Sequence, residues 1–213
     1  MILVSPSLLA ADFSILREEV QAVSTADFLH LDVMDGHFVP NLTIGPCVIA
    51  SLRPHSDLIF DTHLMIDNPL KYIEPFAKSG SDYITVHVEQ PDDLMECISL
   101  IKSFGKKAGL AISPDTAVSV LEPYLDHISM ITVMSVYPGF GGQKFIESTY
   151  EKVRAIRQMI GERKILLSVD GGVNERNARL LEEAGVTMAV AGSTVFGAPD
   201  RMRAIEEIRG KTK

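Results

Sequence analysis

The chain has 213 residues, 46% hydrophobic and 23% charged, with a formal net charge of −8 and two cysteines. That length suits one domain, residues 1–213, with a sizeable core, and the composition is globular rather than disordered. The acidic balance excludes nucleic acid and anionic membrane as expected partners, and an anionic substrate must be held by local groups rather than drawn in by the overall field.

The opening residues, MILVSPSLLAADFS, lack a basic n-region and are interrupted by Pro6 and Asp12, which is not a secretory signal pattern. No apolar run approaches the length of a membrane span. Cys47 and Cys97 have neither disulfide-framework nor thiolate-site spacing. A cytoplasmic protein with reduced thiols is expected.

Short runs rich in Val, Ile and Leu then recur along the chain. They are ILVSPS from Ile2, DFLHLDV from Asp27, LIFDTHLM from Leu58, DYITVHV from Asp82, AGLAI from Ala108, SMITVMSV from Ser129, KILLSVD from Lys164 and TMAVAGS from Thr187. Helical patterns lie between them, for example SILREEVQAVS from Ser14, PLKYIEPFAKSG from Pro69 and NERNARLLEEAG from Asn174. Pro69 suits a first helical turn, and Gly80 and Gly185 suit left-handed helix ends. Strands alternating with helices pair in parallel, because a parallel crossover needs an intervening element. Eight such units predict an α/β fold, a single (β/α)8 barrel, although an open doubly wound sheet uses the same local grammar.

Polar residues gather at the carboxyl ends of these strands. His30, Asp32 and Met34 alternate on one face of the second strand, His63 and Met65 on one face of the third, and the seventh stops at Asp170. His30, Asp32, His63 and Asp170 form a plausible set for a divalent ion, with imidazole and carboxylate donors that suit Zn, Fe, Mn or Co better than Ca. A lone strand histidine is more often a hydrogen-bonded core residue; four converging polar groups would be costly to bury without a reason. Met34, Met65 and Met134 read first as core filling, and otherwise as an apolar wall beside the reacting carbon.

Glycine-rich turns follow the last strands: Pro138-Gly139-Phe140-Gly141-Gly142, Asp170-Gly171-Gly172 and Gly192-Ser193. Glycine lets backbone amides approach an anion closely, and barrels place phosphate at these late turns. One such turn is weak evidence; three in succession indicate a phosphate cradle without a lysine or arginine.

The motifs SPSLLAADF (5–13), HLDVMDGHFVPN (30–41), DTHLMI (61–66), HVE (87–89), VMSVYPGFGGQKF (133–145), VDGGV (169–173) and AGS (191–193) together resemble the ribulose-phosphate 3-epimerase family over essentially the whole chain. The resemblance implies a TIM barrel of the ribulose-phosphate-binding type. One divalent metal would be held by His30, Asp32, His63 and Asp170, with Asp32 and Asp170 also forming the acid/base pair. Ser7 and His63 would lie beside the substrate, and Gly139, Phe140, Gly141, Gly142, Gly171, Gly172, Gly192 and Ser193 around its phosphate. The implied reaction is conversion of D-ribulose 5-phosphate to D-xylulose 5-phosphate by two-base proton transfer through a metal-stabilised enediolate, in a homo-oligomeric isomerase acting on a small sugar phosphate. The same machinery would serve a hexulose 6-phosphate such as D-allulose 6-phosphate. A non-catalytic phosphosugar-binding barrel is the reading from another class; loss of a ligand or acid would favour it, and all four positions are intact. Metal-dependent hydrolysis would leave the paired acids and three-turn cradle unexplained. Tyr137 and Ser113 are expected to adjust substrate preference or face solvent. His87 and Glu89 support either the site or only the local structure.

Overall fold

A computed structural model describes residues 1–210. Its eight strands are β1 Leu3–Pro6, β2 Phe28–Met34, β3 Ile59–Met65, β4 Tyr83–His87, β5 Lys107–Ile112, β6 Met130–Met134, β7 Leu166–Asp170 and β8 Met188–Ala191. They form one parallel sheet in the order β1-β8-β7-β6-β5-β4-β3-β2. The ring closes between β1 and β2 through a Ser7–His30 bridge and an Asp27 amide donating to the Val4 carbonyl at 3.1 Å. All eight predicted strands are present, and the contacts between β1 and β2 that close the ring exclude the open-sheet alternative.

The α-helices are α1 Leu16–Gln21, α2 Pro46–Leu52, α3 Pro69–Lys78, α4 Leu94–Ser103, α5 Thr149–Ile160, α6 Glu175–Ala184, α7 Ser193–Phe196 and α8 Arg201–Arg209. Between β5 and β6 the chain runs instead through a 3-10 segment, Val118–Tyr124, which contains Pro123. A proline there supplies no amide to a longer helical ladder. Pro69 opens α3, Gly185 ends α6 at φ 105°, and Asn174 caps α6 by accepting from the amides of Arg176 and Asn177.

Every residue of β2 is buried, because its outer face meets helices and its inner face fills the barrel. The outward residues of β1, β6 and β7, including Val4, Ile131, Val133, Leu167 and Val169, join Ile73, Ile156, Leu181 and Ile205 in the main core. Inside the barrel, Phe28, Met130 and Met188 close the amino end, with Leu3, Tyr83 and Leu166 against them. Buried polar side chains, Ser5, Thr85, Thr132 and Ser168 among them, occupy the inner positions beyond that plug, toward the carboxyl end of the barrel.

Candidate active site and metal centre

The sheet register brings the predicted donors together. In the β2–β3 ladder His30 sits beside Asp61 and Asp32 beside His63, while β7 delivers Asp170 from the other side of the barrel. His30 Nε2 lies 3.4 Å from Asp32 Oδ1 and 3.4 Å from Asp170 Oδ2. His63 Nδ1 lies 3.7 Å and 3.4 Å from the same two oxygens. One donor atom from each residue falls within 4.8 Å of the others, and all four residues are buried. Two donors about 2.1 Å from a shared ion, at a tetrahedral angle, stand roughly 3.4 Å apart.

The chemistry of the set fits a divalent ion. His30 Nε2 and His63 Nδ1 are fully buried and have no hydrogen-bond partner, yet both point at the two carboxylates. Their second nitrogens are engaged: His30 Nδ1 meets Asp61 Oδ2 at 2.7 Å, and His63 Nε2 meets His87 Nε2 at 2.9 Å. Outer partners of this kind fix the ring and direct the remaining lone pair at a metal. Asp61 was not singled out in the sequence, since only the strand register reveals that it faces His30.

Electrostatics of the protein groups show how tightly the cluster is matched. Burial opposes a charged His30, but Asp32, Asp61 and Asp170 outweigh it and raise its pKa well above the ordinary value. His63 is raised against its burial by Asp170 and Asp32. Burial would lift the carboxyls of Asp32 and Asp170, yet His30 and His63 hold both below the usual range. His87 behaves oppositely: burial, with His63 beside it, lowers it to about 4, so the ring is neutral. Glu89, despite burial, is held down to about 2 by His87, Thr116 and the Ser113 amide.

Ser7 donates from Oγ to Asp32 Oδ2 at 2.6 Å, which places the serine beside one acid. A single pocket is lined by Ser7, Asp32 and Asp170 together with the three late turns. Gly139, Phe140, Gly141, Gly142, Gly171, Gly172, Gly192 and Ser193 all face it, and Met34, Met65 and Met134 form an apolar wall. The glycine-rich turns are held in place by side chains. Asn41 Nδ2 donates to the Gly139 carbonyl at 2.8 Å, Gln143 Nε2 to the Tyr137 and Phe140 carbonyls at 2.6 and 2.8 Å, and Asn177 Nδ2 to the Gly172 carbonyl at 2.9 Å. Gly172 has φ +62°, and a Cβ there would stand 2.7 Å from the Phe145 amide nitrogen, so the turn admits no side chain. Asn41 and Gln143 lie inside motifs quoted above, but nothing in their spacing marks them as loop anchors.

Tyr137 is exposed at the pocket and donates to Asp115 Oδ2 at 3.0 Å; the Ser113 amide donates to Glu89 Oε1 at 2.8 Å. Cys47 is exposed and Cys97 buried, both as free thiols. Among the described residues no helix is long and apolar enough to cross a membrane.

Residues 3–196 match the model of the ribulose-phosphate 3 epimerase family. The chain is 49% identical over 215 aligned residues to a ribulose-phosphate 3-epimerase of Bacillus subtilis, covering 99% of each chain. It is 47% identical to the corresponding protein of Synechocystis sp., covering 100% of this chain and 95% of that one. A solved structure of 3-keto-L-gulonate-6-phosphate decarboxylase from Vibrio cholerae aligns with a TM-score of 0.74 at 14% identity, covering 99% of this chain and 96% of that one, and shares the fold. By its sequence over nearly its whole length, the chain belongs to the ribulose-phosphate 3-epimerase family and is an isomerase.

Proposed function

We propose that this protein interconverts D-ribulose 5-phosphate and D-xylulose 5-phosphate by moving a proton at the carbon beside the ketone, with Asp32 and Asp170 as the two acid/base groups. One observation carries the reading. Two buried carboxylates from strands on different sides of the barrel approach the same pair of histidines, at a pocket whose other wall is three glycine-rich turns.

Asp32 and Asp170 each have one oxygen turned to the histidines. In one direction Asp32 as the ionised carboxylate removes the proton from one face of the carbon, and Asp170, whose carboxyl the neighbouring Asp32 charge pushes back up against the pull of the histidines, carries the proton supplied to the opposite face. The return reaction exchanges the roles. The Ser7 hydroxyl orients Asp32 and favours its ionised form through a charge-assisted hydrogen bond. Met34, Met65 and Met134 offer the reacting carbon a wall with no competing proton donor and keep water away from it. Backbone amides of the glycine turns hold the phosphate and thereby fix the distant carbon between the acids. His30, His63, Asp32 and Asp170 would hold a divalent ion such as Zn, Fe, Mn or Co, which would supply Lewis-acid stabilisation of negative charge on the substrate. The unpaired cysteines suit a reducing, cytoplasmic setting. The family resemblance supports a homo-oligomer.

The test compares D-ribulose 5-phosphate with D-allulose 6-phosphate, using wild-type protein and Asp170→Asn. The pentulose should be strongly preferred, and the variant should lose turnover by about 10²–10⁴-fold with an unchanged circular dichroism spectrum. Preference for the hexulose would keep the chemistry and change the substrate. Full activity in the variant would remove Asp170 from the acid/base pair.

A further inference from the structure

We infer that Glu89 and His87 are positioning residues that decide which ring nitrogen of His63 carries a proton. Glu89 holds His87 as the Nδ1–H tautomer, His87 Nε2 accepts from His63 Nε2–H, and His63 Nδ1 is left as the nitrogen that faces the cluster and would bind the ion. The inference rests on the metal reading of that cluster and extends it to a relay running outward from β3 across β4.

The geometry points to one direction of donation. Glu89 Oε2 lies 2.8 Å from His87 Nδ1, while Oε1 accepts from the Ser113 amide at 2.8 Å and from Thr116 Oγ1 at 2.5 Å. Two donors on Oε1 favour the ionised carboxylate, so Oε2 accepts and His87 Nδ1 donates. In a neutral imidazole the other nitrogen is then an acceptor, and the 2.9 Å contact assigns the shared proton to His63 Nε2. His63 and His87 are both 0% exposed, so water offers neither ring an alternative partner. The Phe38 ring, 4.9 Å from that of His87 between centroids, packs against the intermediate residue.

The carboxylate also fastens the loop after β5 to the same relay. Ser113 and Thr116 donate to it, and Asp115 between them accepts from Tyr137 at the pocket. The partly exposed Glu89 carboxylate therefore registers a metal ligand against a loop that reaches the substrate side.

Two variants of the full-length protein test the relay, with zinc as the probe. Glu89→Gln has one acceptor oxygen in place of two; with that oxygen toward Ser113 and Thr116, its NH2 donates to His87 Nδ1, and the whole relay reverses. His87→Phe removes the acceptor altogether. Zinc affinity is measured by chelator competition, folding by circular dichroism, and tautomers by two-bond 1H–15N histidine spectra with and without zinc. Wild-type His87 should be Nδ1–H in both states. Both variants should bind zinc about 10–100-fold more weakly while remaining folded. Thr116→Val, which loosens only the loop side, should keep the wild-type tautomer and affinity. A wild-type His87 protonated at Nε2, wild-type zinc affinity in both relay variants, or equal weakening by Thr116→Val would overturn the inference. A wild-type protein that takes up no zinc would instead overturn the metal reading.

Discussion

Replacing Asp61 by Asn tests whether a residue that touches neither pocket nor substrate governs the metal centre. The Asp61 side chain is fully buried, and Oδ2 stands 2.7 Å from His30 Nδ1, whose other nitrogen faces Asp32 and Asp170. Asn has nearly the same shape and its amide oxygen still accepts from Nδ1–H, so the ring keeps its orientation and no void opens. What disappears is the charge. A hydrogen bond to a charged partner contributes about 1.5–3 kcal/mol and a neutral one about 0.5–1.5, so the loss is about 1–2 kcal/mol. That corresponds to roughly a 5–30-fold weaker hold on zinc. The size of the loss depends on pH, because the same carboxylate also stabilises the proton that zinc must displace from His30. The loss should therefore be largest at alkaline pH, where that proton has already gone, and smaller as pH falls and His30 is protonated before binding. Chelator competition across a pH series, with circular dichroism as a control for folding, reads both effects. Zinc affinity in a folded Asp61→Asn protein equal to wild type at alkaline pH would refute the reasoning.

Since the carboxylates raise His30 and His63 in the absence of metal, zinc binding near neutral pH should release protons and its affinity should rise with pH until both rings are neutral. Calorimetry in buffers of different ionisation enthalpy counts those protons, and a count of zero at pH 7 contradicts the assignment. Gly172→Ala forces a side chain onto φ +62° and against the Phe145 backbone, so it should lower stability by about 1–2 kcal/mol or more and raise KM for the sugar phosphate. An unchanged Tm together with an unchanged KM would show that the turn has room to spare. The Cys97 thiol, pushed up to about 12 by burial with Asp92, Glu96 and Asp93 adding to it, should resist a thiol reagent that labels the exposed Cys47. Labelling of both cysteines at similar rates in the native protein would contradict that burial.

The sequence by itself was enough for the alternation of eight strands with helical crossovers, because each strand is buried on both faces and reads as a short apolar run. His30, Asp32, His63 and Asp170 were legible for a related reason: a polar residue at the end of such a run is out of place unless the site requires it. The late glycine turns stood out because they accumulate after consecutive strands. Sequence did not decide between a closed barrel and an open sheet, since local periodicity is identical in both; the Ser7–His30 bridge settles it. Nor could it place Asp61 on His30, His87 on His63, or Asn41 on the Gly139 carbonyl, partners separated by 31, 24 and 98 residues. Spacing within a strand fixes which face a side chain takes. Which donor meets which acceptor depends on the register between strands and on how far each loop folds back, and those are set only when the whole ring has closed.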